Sequence, residues 1–234
     1  MIITSWSVPE VKSAGQAHQE MLVSFDQDRP VRILVIPALF DEANKLRRFT
    51  LSVMRALDEA GIDTALPDLP GMNESLALLQ NQTLAEWREH AKAAAAHVRA
   101  THALTLRGGA LLVPDGLPAW RYAPVYGAKL LTTLLRARVV EAREAGHEET
   151  RAALLEDGRA KGLILGGWQL GSNMVCELET ETGINPVGHE TLEPVDFGAS
   201  ALWLRAEPAD DADQAKALAG RIVQSLSHSD EPFS

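Results

Sequence analysis

The alternation of apolar and polar positions divides the chain into short apolar runs separated by amphipathic stretches. Residues 31–37 are nearly continuous in β-branched and other apolar types, which is typical of a strand buried on both faces of a parallel sheet. Comparable runs predict further strands at 63–67, 103–107, 119–125 and 201–206. Residues 21–25 predict one more strand, antiparallel and placed at an edge of the sheet.

The amphipathic stretches between these runs predict helices. Apolar residues at helical spacing cover 44–60, and Gly61 stands where the C-cap of a helix is expected. Thr83 followed by Glu86 has the pattern of a capping box, which predicts a helix from Thr83 to about residue 100. Further helical patterns cover 127–145, 147–157, 172–178 and 213–226. This alternation predicts an α/β fold with a doubly wound, mostly parallel sheet.

Length and charge narrow the classes of function. With 234 residues the chain is long enough for one large α/β domain, and we expect a single domain over residues 1–234. The net charge of −10 disfavours binding to nucleic acid or to anionic membranes. No apolar run approaches the roughly 18–20 residues that a membrane-spanning helix needs, so we expect no membrane span.

Individual residue types narrow the classes further. The one cysteine, Cys176, cannot form an internal disulfide, and the first residues lack the basic start and apolar core of a signal peptide, so we expect a cytoplasmic protein. The seven histidines show no spacing typical of metal ligands, so neither a metal site nor a cofactor is predicted. No G-x-G-x-x-G pattern follows the first predicted core strand, which disfavours a Rossmann-type nucleotide-binding protein.

The stretch Leu106-Arg-Gly-Gly-Ala110 follows the predicted strand 103–107, at the place where an α/β-hydrolase carries its nucleophile. There the pattern G-x-S-x-G forms a strained strand-to-helix turn, the nucleophile elbow, which exposes a serine. The serine position holds Arg107, and a guanidinium is always charged and cannot act as a nucleophile. The segment between this turn and Pro114 is also too short for the long helix that follows an ordinary elbow.

Other residues could supply members of a catalytic triad. Ser172 follows a predicted strand and is the first alternative nucleophile, although a helix N-cap is the simpler role for it. Glu207 comes after the predicted strand 201–206, where the acid of a triad is expected, and His228 is the remaining candidate base. Since these residues do not form a recognisable triad, we predict that ordinary serine-hydrolase activity is absent.

Arg107 is expected to lie in the crevice above the carboxyl ends of the strands, where an unpaired charge is costly. It could form an ion pair with an acid of a neighbouring loop and close the crevice. It could instead bind a small anionic group through its forked donors. The residues of this predicted crevice are Asp41, Glu42, Asn44, Lys45, Arg107 and Glu207.

Three motifs together resemble one known family. Pro67-Asp-Leu-Pro-Gly71 fits a P-D-L-x-G turn after the second parallel strand, and Leu106–Ala110 fits L-R-x-G-A in place of the serine motif. An E-x-N-K-x-R-R pattern is carried by Glu42, Asn44, Lys45, Arg47 and Arg48. Over about residues 20–226 the chain resembles the second type of α/β-hydrolase-like protein associated with the exosortase A system. That system belongs to bacteria that sort PEP-CTERM proteins and make exopolysaccharide.

The resemblance implies an α/β-hydrolase-like fold, and we expect residues 127–194 to form a cap-like helical insertion. It also implies a non-catalytic accessory or ligand-binding protein that works with a small anionic ligand or a protein partner in exosortase or exopolysaccharide systems. The alternative is an active hydrolase or acyltransferase, acting on an ester or thioester through a non-standard nucleophile.

Overall fold

The computed structural model describes residues 1–8, 18–183, 189–205 and 210–229. The strands are β1 (Ile2–Val8), β2 (His18–Phe25), β3 (Arg32–Ile36), β4 (Asp63–Pro67), β5 (His102–Leu106), β6 (Ala119–Tyr122), β7 (Leu163–Leu165), β8 (Trp168–Leu170) and β9 (His189–Leu192). The helices are α1 (Asp41–Glu59), α2 (Leu84–His97), α3 (Gly127–Glu144), α4 (Arg151–Lys161), α5 (Ser172–Thr180) and α6 (Ala212–Ser229). Short 3₁₀ helices cover Leu79–Asn81, Arg107–Leu112, Pro194–Phe197 and Leu202–Leu204.

Seven of the described strands form one central sheet in the order β1-β2-β4-β3-β5-β6-β9. All neighbours from β4 to β9 run parallel, whereas β1 pairs antiparallel with β2 and β2 pairs antiparallel with β4. Leu34 of β3 lies opposite Ala65 of β4 on one side and Ala103 of β5 on the other. The predicted mostly parallel, doubly wound sheet is therefore confirmed.

Helices cover both faces of this sheet. Leu34 and Ile36 pack on the face covered by α2, α3 and α5, while Ile33 and Val35 pack on the face covered by α1 and α6. All four side chains are fully buried. Burying each contributes roughly 1.5–3 kcal/mol, which explains why this strand needs an unbroken apolar run rather than an alternating one.

The start of α2 confirms the capping box expected from the sequence. The Thr83 hydroxyl oxygen accepts a hydrogen bond from the Glu86 backbone N–H at 3.1 Å, and the Glu86 carboxylate accepts one from the Thr83 N–H at 2.9 Å. At the N-terminus, β1 is a strand that the apolar pattern did not predict. It lies at the edge of the sheet, and the first four of its residues are exposed.

The segment between β6 and β9 contains α3, α4, the β7–β8 hairpin and α5. Leu130 of α3 and Leu178 of α5 belong to the core on the α2 face of the sheet. The expected insertion, 127–194, includes residues 189–192, and these join the central sheet as β9. The assignment of the preceding helices as a cap stays a prediction.

The strand predicted at 201–206 is wrong. The described residues there form the 3₁₀ helix Leu202–Leu204, and the last described strand of the central sheet is β9, which pairs parallel with β6. Leu202 is fully buried, and the ring of Trp203 lies edge-on to Tyr122 at 6.2 Å. The apolar residues of this run therefore pack over the sheet instead of extending it.

Candidate functional site

Arg107 occupies a turn with the backbone geometry of a nucleophile elbow. It directly follows β5, begins a 3₁₀ helix, and has a φ of +53°, in the left-handed region that a residue with a side chain rarely adopts. The turn depends on Gly109, because a Cβ there would lie 2.4 Å from the Pro37 carbonyl oxygen and 2.7 Å from that of Ile36. The strained conformation is thus kept although the residue at its apex cannot act as a nucleophile.

The loop after β3 fills the space beside this turn with apolar side chains. Leu39 and Phe40 are fully buried, and a Cβ on Gly108 would lie 3.0 Å from the Leu39 side chain. The Phe40 ring lies 5.8 Å from the ring of Trp87 and 6.1 Å from that of Trp168. In an α/β-hydrolase this loop supplies a backbone N–H to the oxyanion hole. Here its side chains pack into the core.

The guanidinium of Arg107 is held by Glu42 and by a backbone carbonyl. Nε donates to Glu42 Oε2 at 3.0 Å and Nη2 donates to Glu42 Oε1 at 3.0 Å, which makes the pair bidentate. Nη1 donates to the Ala123 carbonyl oxygen at 2.6 Å. The side chains of Arg107 and Glu42 are 12% and 15% exposed, so the pair is mostly removed from water. Each nitrogen of the guanidinium therefore has an acceptor within the protein.

Trp203 covers the remaining face of the guanidinium. The Cζ atom of Arg107 lies 3.9 Å from the centroid of the indole ring, a cation–π geometry. Beneath it, the fully buried Tyr122 accepts a hydrogen bond at its hydroxyl oxygen from the side-chain amide of Gln214. Burial raises the pKa of Tyr122 well above its ordinary value, so this hydroxyl stays protonated. The 3₁₀ helix 202–204 thus acts as a lid over Arg107.

The E-x-N-K-x-R-R pattern on α1 ties together two loops at the carboxyl ends of the strands. Glu42 holds the elbow, and Arg47 lies 3.4 Å from Asp68 in the turn after β4. Lys45 pairs with Asp41 at 2.9 Å, one turn away on the same helix. The other two members, Asn44 and Arg48, are exposed. Of the predicted crevice residues, the structure brings Glu42 to Arg107, while Asp41 faces Lys45 instead.

The P-D-L-P-G turn is fixed by hydrogen bonds rather than open to a ligand. Asp68 is buried and accepts a hydrogen bond from the Asn73 side-chain amide at 2.9 Å. The Ser75 hydroxyl accepts from the Gly71 N–H at 2.8 Å and donates to the buried Glu20 carboxylate at 2.7 Å. Gly71 has a φ of +82°, and a Cβ there would lie 2.7 Å from the Leu79 Cα. Only glycine fits this approach.

The alternative nucleophiles lie in other surroundings. Ser172 is the first residue of α5, and Gly171, not Ser172, is the N-cap, so the expected capping role is wrong. Ser172 borders a cavity of about 450 Å³ with Lys161 and Gln169, and no histidine is among the described residues that line it. Cys176 is exposed on the same helix. The described lining of this cavity thus lacks the histidine partner that Ser172 would need as an activated nucleophile.

The position of the late strand changes which acids are candidates for a triad. Glu207 and the side chain of His228 lie outside the described residues. Because β9 is the last strand among the described residues, the acids that directly follow it are Glu193 and Asp196, which sequence reasoning missed by placing the strand too late. The Asp196 carboxylate accepts a hydrogen bond from the Glu193 N–H at 2.8 Å and so caps the 3₁₀ helix Pro194–Phe197.

No group of three or more histidine, cysteine, aspartate or glutamate side chains in the described ranges is arranged to hold a metal ion. Among the same residues, none of the helices combines the length and the apolar character needed to cross a bilayer.

No protein-family model matches the chain, and no curated protein matches it significantly. Solved structures do match its fold. Est1E from Butyrivibrio proteoclasticus, in complex with ferulic acid, aligns with a TM-score of 0.56 and 12% identity over 89% of this chain and 95% of that chain. Mouse α/β hydrolase domain-containing protein 10 aligns with a TM-score of 0.54 and 10% identity over 96% of this chain and 99% of that chain. The fold is therefore that of the α/β-hydrolases.

Proposed function

We propose that this chain is a non-catalytic α/β-hydrolase-fold protein that acts as an accessory or binding protein. The observation that carries the proposal is the state of Arg107. Its guanidinium stands at the nucleophile position, pairs with Glu42, donates to the Ala123 carbonyl and is covered by Trp203. A side chain used in this way supplies neither a nucleophile nor open donors for an oxyanion. The elbow therefore has a structural role, in which it holds the neighbouring loops together.

We infer the link to the exosortase A system from the motifs on α1 and in the turn after β4. Glu42 and Arg47 of the E-x-N-K-x-R-R pattern and Asp68 of the P-D-L-x-G turn hold the elbow and the neighbouring loop in place. Their contacts give a physical reason why the three motifs occur together. We infer on the strength of the resemblance that the protein works in the cytoplasm with the exosortase A system, in the sorting of proteins or the synthesis of exopolysaccharide.

Covalent labelling tests the absence of catalysis. The protein is incubated with a fluorophosphonate probe, together with an active serine esterase as a positive control, and labelling is measured by mass spectrometry. We expect no adduct on any serine, and Ser172→Ala should behave as the unsubstituted chain does. Stoichiometric labelling of one residue would overturn the proposal and favour a hydrolase or acyltransferase with a non-standard nucleophile.

The accessory role is tested in a bacterium that encodes the chain. Deletion of the gene should lower exopolysaccharide output or the sorting of PEP-CTERM proteins. Complementation with Ser172→Ala or Cys176→Ala should restore the phenotype fully, because neither side chain is a nucleophile in this proposal. A deletion without effect on either process would contradict the link to that system, while leaving the non-catalytic assignment to the labelling experiment.

A further inference from the structure

The central sheet ends on one side in β1, a seven-residue strand whose outer edge pairs with no other described strand. Its residues pair one-to-one with β2, from Ile2 opposite Ser24 to Val8 opposite His18, so no bulge interrupts the ladder. The outer edge of β1 therefore presents a regular row of backbone N–H and C=O groups. Such a row is a template for pairing with another strand.

β1 lacks the features by which proteins usually protect an edge strand, namely a very short length, charged side chains, proline and bulges. The sequence Ile2-Ile-Thr-Ser-Trp-Ser-Val8 has no charged residue and no proline. At the other end of the described sheet, β9 has only four residues, and the carboxylate of its Glu190 accepts a hydrogen bond from Arg221 at 2.6 Å. Of these two edges, only that of β1 is long and uncharged.

The first half of β1 exposes apolar side chains to water. Ile2 is 50% and Ile3 is 60% exposed, and the next two side chains are exposed as well. Trp6, by contrast, is buried, and its ring lies 5.5 Å from that of His97 in α2. The packing of Trp6 holds the strand in the sheet, while the four residues before it stay accessible on both faces. This accessible half is the end of β1 away from residues 9–17, which lie outside the described ranges.

Charge favours a second copy of this chain as the partner of β1. Each copy has a net charge of −10, so contacts between two copies tend to bring acids together. The strand itself carries no charge, and two copies can therefore meet there without opposing like charges. Two identical strands that pair antiparallel about a twofold axis also satisfy both edges at once. The same pairing covers the exposed isoleucines of both copies.

We propose that two copies of this chain form a dimer by antiparallel pairing of their β1 strands, which makes one continuous sheet across a twofold axis. With the axis at Thr4, the accessible half of each strand is used. Thr4 then lies opposite Thr4 of the second copy, a favourable cross-strand pair, and Ile3 lies opposite Ser5. Because the contact is only one strand wide, we expect a weak dimer that depends on protein concentration. The inference does not rest on the proposed function, because it concerns another part of the molecule.

Sedimentation velocity, measured up to the highest soluble protein concentration, tests the dimer. We expect the average mass to rise from that of one chain towards that of two. Added NaCl should tighten the association, because salt screens the repulsion between two acidic molecules. A mass of one chain at every concentration would overturn the proposal. A dimer that NaCl weakens would indicate ion pairs at another surface and would overturn it as well.

Charge changes at Thr4 locate the interface, and Thr4 is exposed, so they leave the core intact. Thr4→Lys and Thr4→Glu each place like charges opposite one another at the axis, and we expect each variant alone to dimerise at least about tenfold more weakly. An equimolar mixture of the two variants should dimerise again, because opposite charges then meet.

The matched controls are Val140→Lys and Val140→Glu on the exposed side of α3, which should leave the dimer unchanged. Dimerisation that survives both changes at Thr4 would place the interface elsewhere and contradict the proposal. A mixture of the two Thr4 variants that stays monomeric would contradict the antiparallel pairing about Thr4.

Discussion

Glu42 and Arg107 face each other through two parallel hydrogen bonds of 3.0 Å, although 65 positions separate them in the chain. Glu42 lies in the first turn of α1, and Arg107 stands at the apex of the turn after β5. Because β3 and β5 are parallel neighbours, their carboxyl ends bring these two residues to one place. The ion pair is thus a direct product of the sheet topology.

Removal of the arginine should destabilise the protein strongly. Arg107→Ala leaves the mostly buried carboxylate of Glu42 without its partner, and we expect a loss of roughly 3–5 kcal/mol in the free energy of unfolding, measured by urea denaturation. Arg107→Ala combined with Glu42→Ala should lose less than the sum of the single changes. The more exposed pair of Arg221 and Glu190 is the control, and Arg221→Ala should cost about 1 kcal/mol or less. An unchanged stability of Arg107→Ala would instead indicate a ligand-binding arginine.

Trp203 should contribute through the face of its ring. Trp203→Leu keeps an apolar side chain over Arg107 but removes the cation–π contact, and we expect a loss of about 0.5–2 kcal/mol in unfolding free energy. Trp203→Phe should lose less, because a smaller aromatic ring remains. In the background of Arg107→Met both substitutions should have similar, smaller effects. Equal losses in the two backgrounds would show that the ring contributes by packing alone.

The elbow should not tolerate a methyl group at Gly109. The new Cβ would lie 2.4 Å from the Pro37 carbonyl oxygen, so β3 or the turn must move, and we expect a loss of at least about 2 kcal/mol in urea denaturation. Gly220→Ala is the matched control, because Gly220 lies in α6 with nothing within 4 Å of its Cβ position. That change should stabilise the protein by about 0.5–1 kcal/mol. If Gly109→Ala is as stable as the unsubstituted protein, the loop after β3 can move away from the added methyl group at little energetic cost.

Stability should fall as the pH is lowered through the range where histidine titrates. Burial lowers the pKa of His102 from 6.5, and burial together with Arg121 lowers the pKa of His189, so the folded protein favours the neutral rings. The unfolded chain takes up protons first, and the free energy of unfolding therefore decreases from about pH 7 to about pH 5. Thermal melting across this range should show a smaller slope for His102→Phe combined with His189→Phe. An equal slope in the variant would contradict the prediction. Carboxylates with lowered pKa, such as that of Asp26, act only at lower pH.

Much of the fold follows from local patterns in the sequence. The apolar runs located β3, β4, β5 and β6, and the capping box located the start of α2, because burial and capping depend on a few neighbouring residues. The apolar pattern did not predict β9. Residues 189–192 read His-Glu-Thr-Leu, and three of the four side chains are only partly buried or exposed, so the strand carries no continuous apolar signal. Its place is set by pairing with β6.

At the candidate site, too, some contacts could be predicted from the sequence and others could not. That Arg107 needs an acid could be argued from its charge and from the acids in the next loop. The Ala123 carbonyl and the Trp203 ring could not be predicted, because each depends on a backbone conformation that the sequence leaves open. Ala123 has a φ of +46°, and Trp203 reaches the guanidinium only because its run forms a 3₁₀ helix instead of a strand. The role of Glu207 stays a prediction.

Along the chain, Arg107 works as a noncovalent cross-link. It joins the start of α1, the residue after β6 and the 3₁₀ helix Leu202–Leu204. Opening the crevice would require the ion pair, the carbonyl hydrogen bond and the ring contact to break together. The loops at this edge of the sheet should therefore exchange their amide hydrogens as one cooperative unit, with a common opening free energy. The contacts of Arg107 therefore close, from inside the protein, the edge of the sheet at which α/β folds usually bind their ligands.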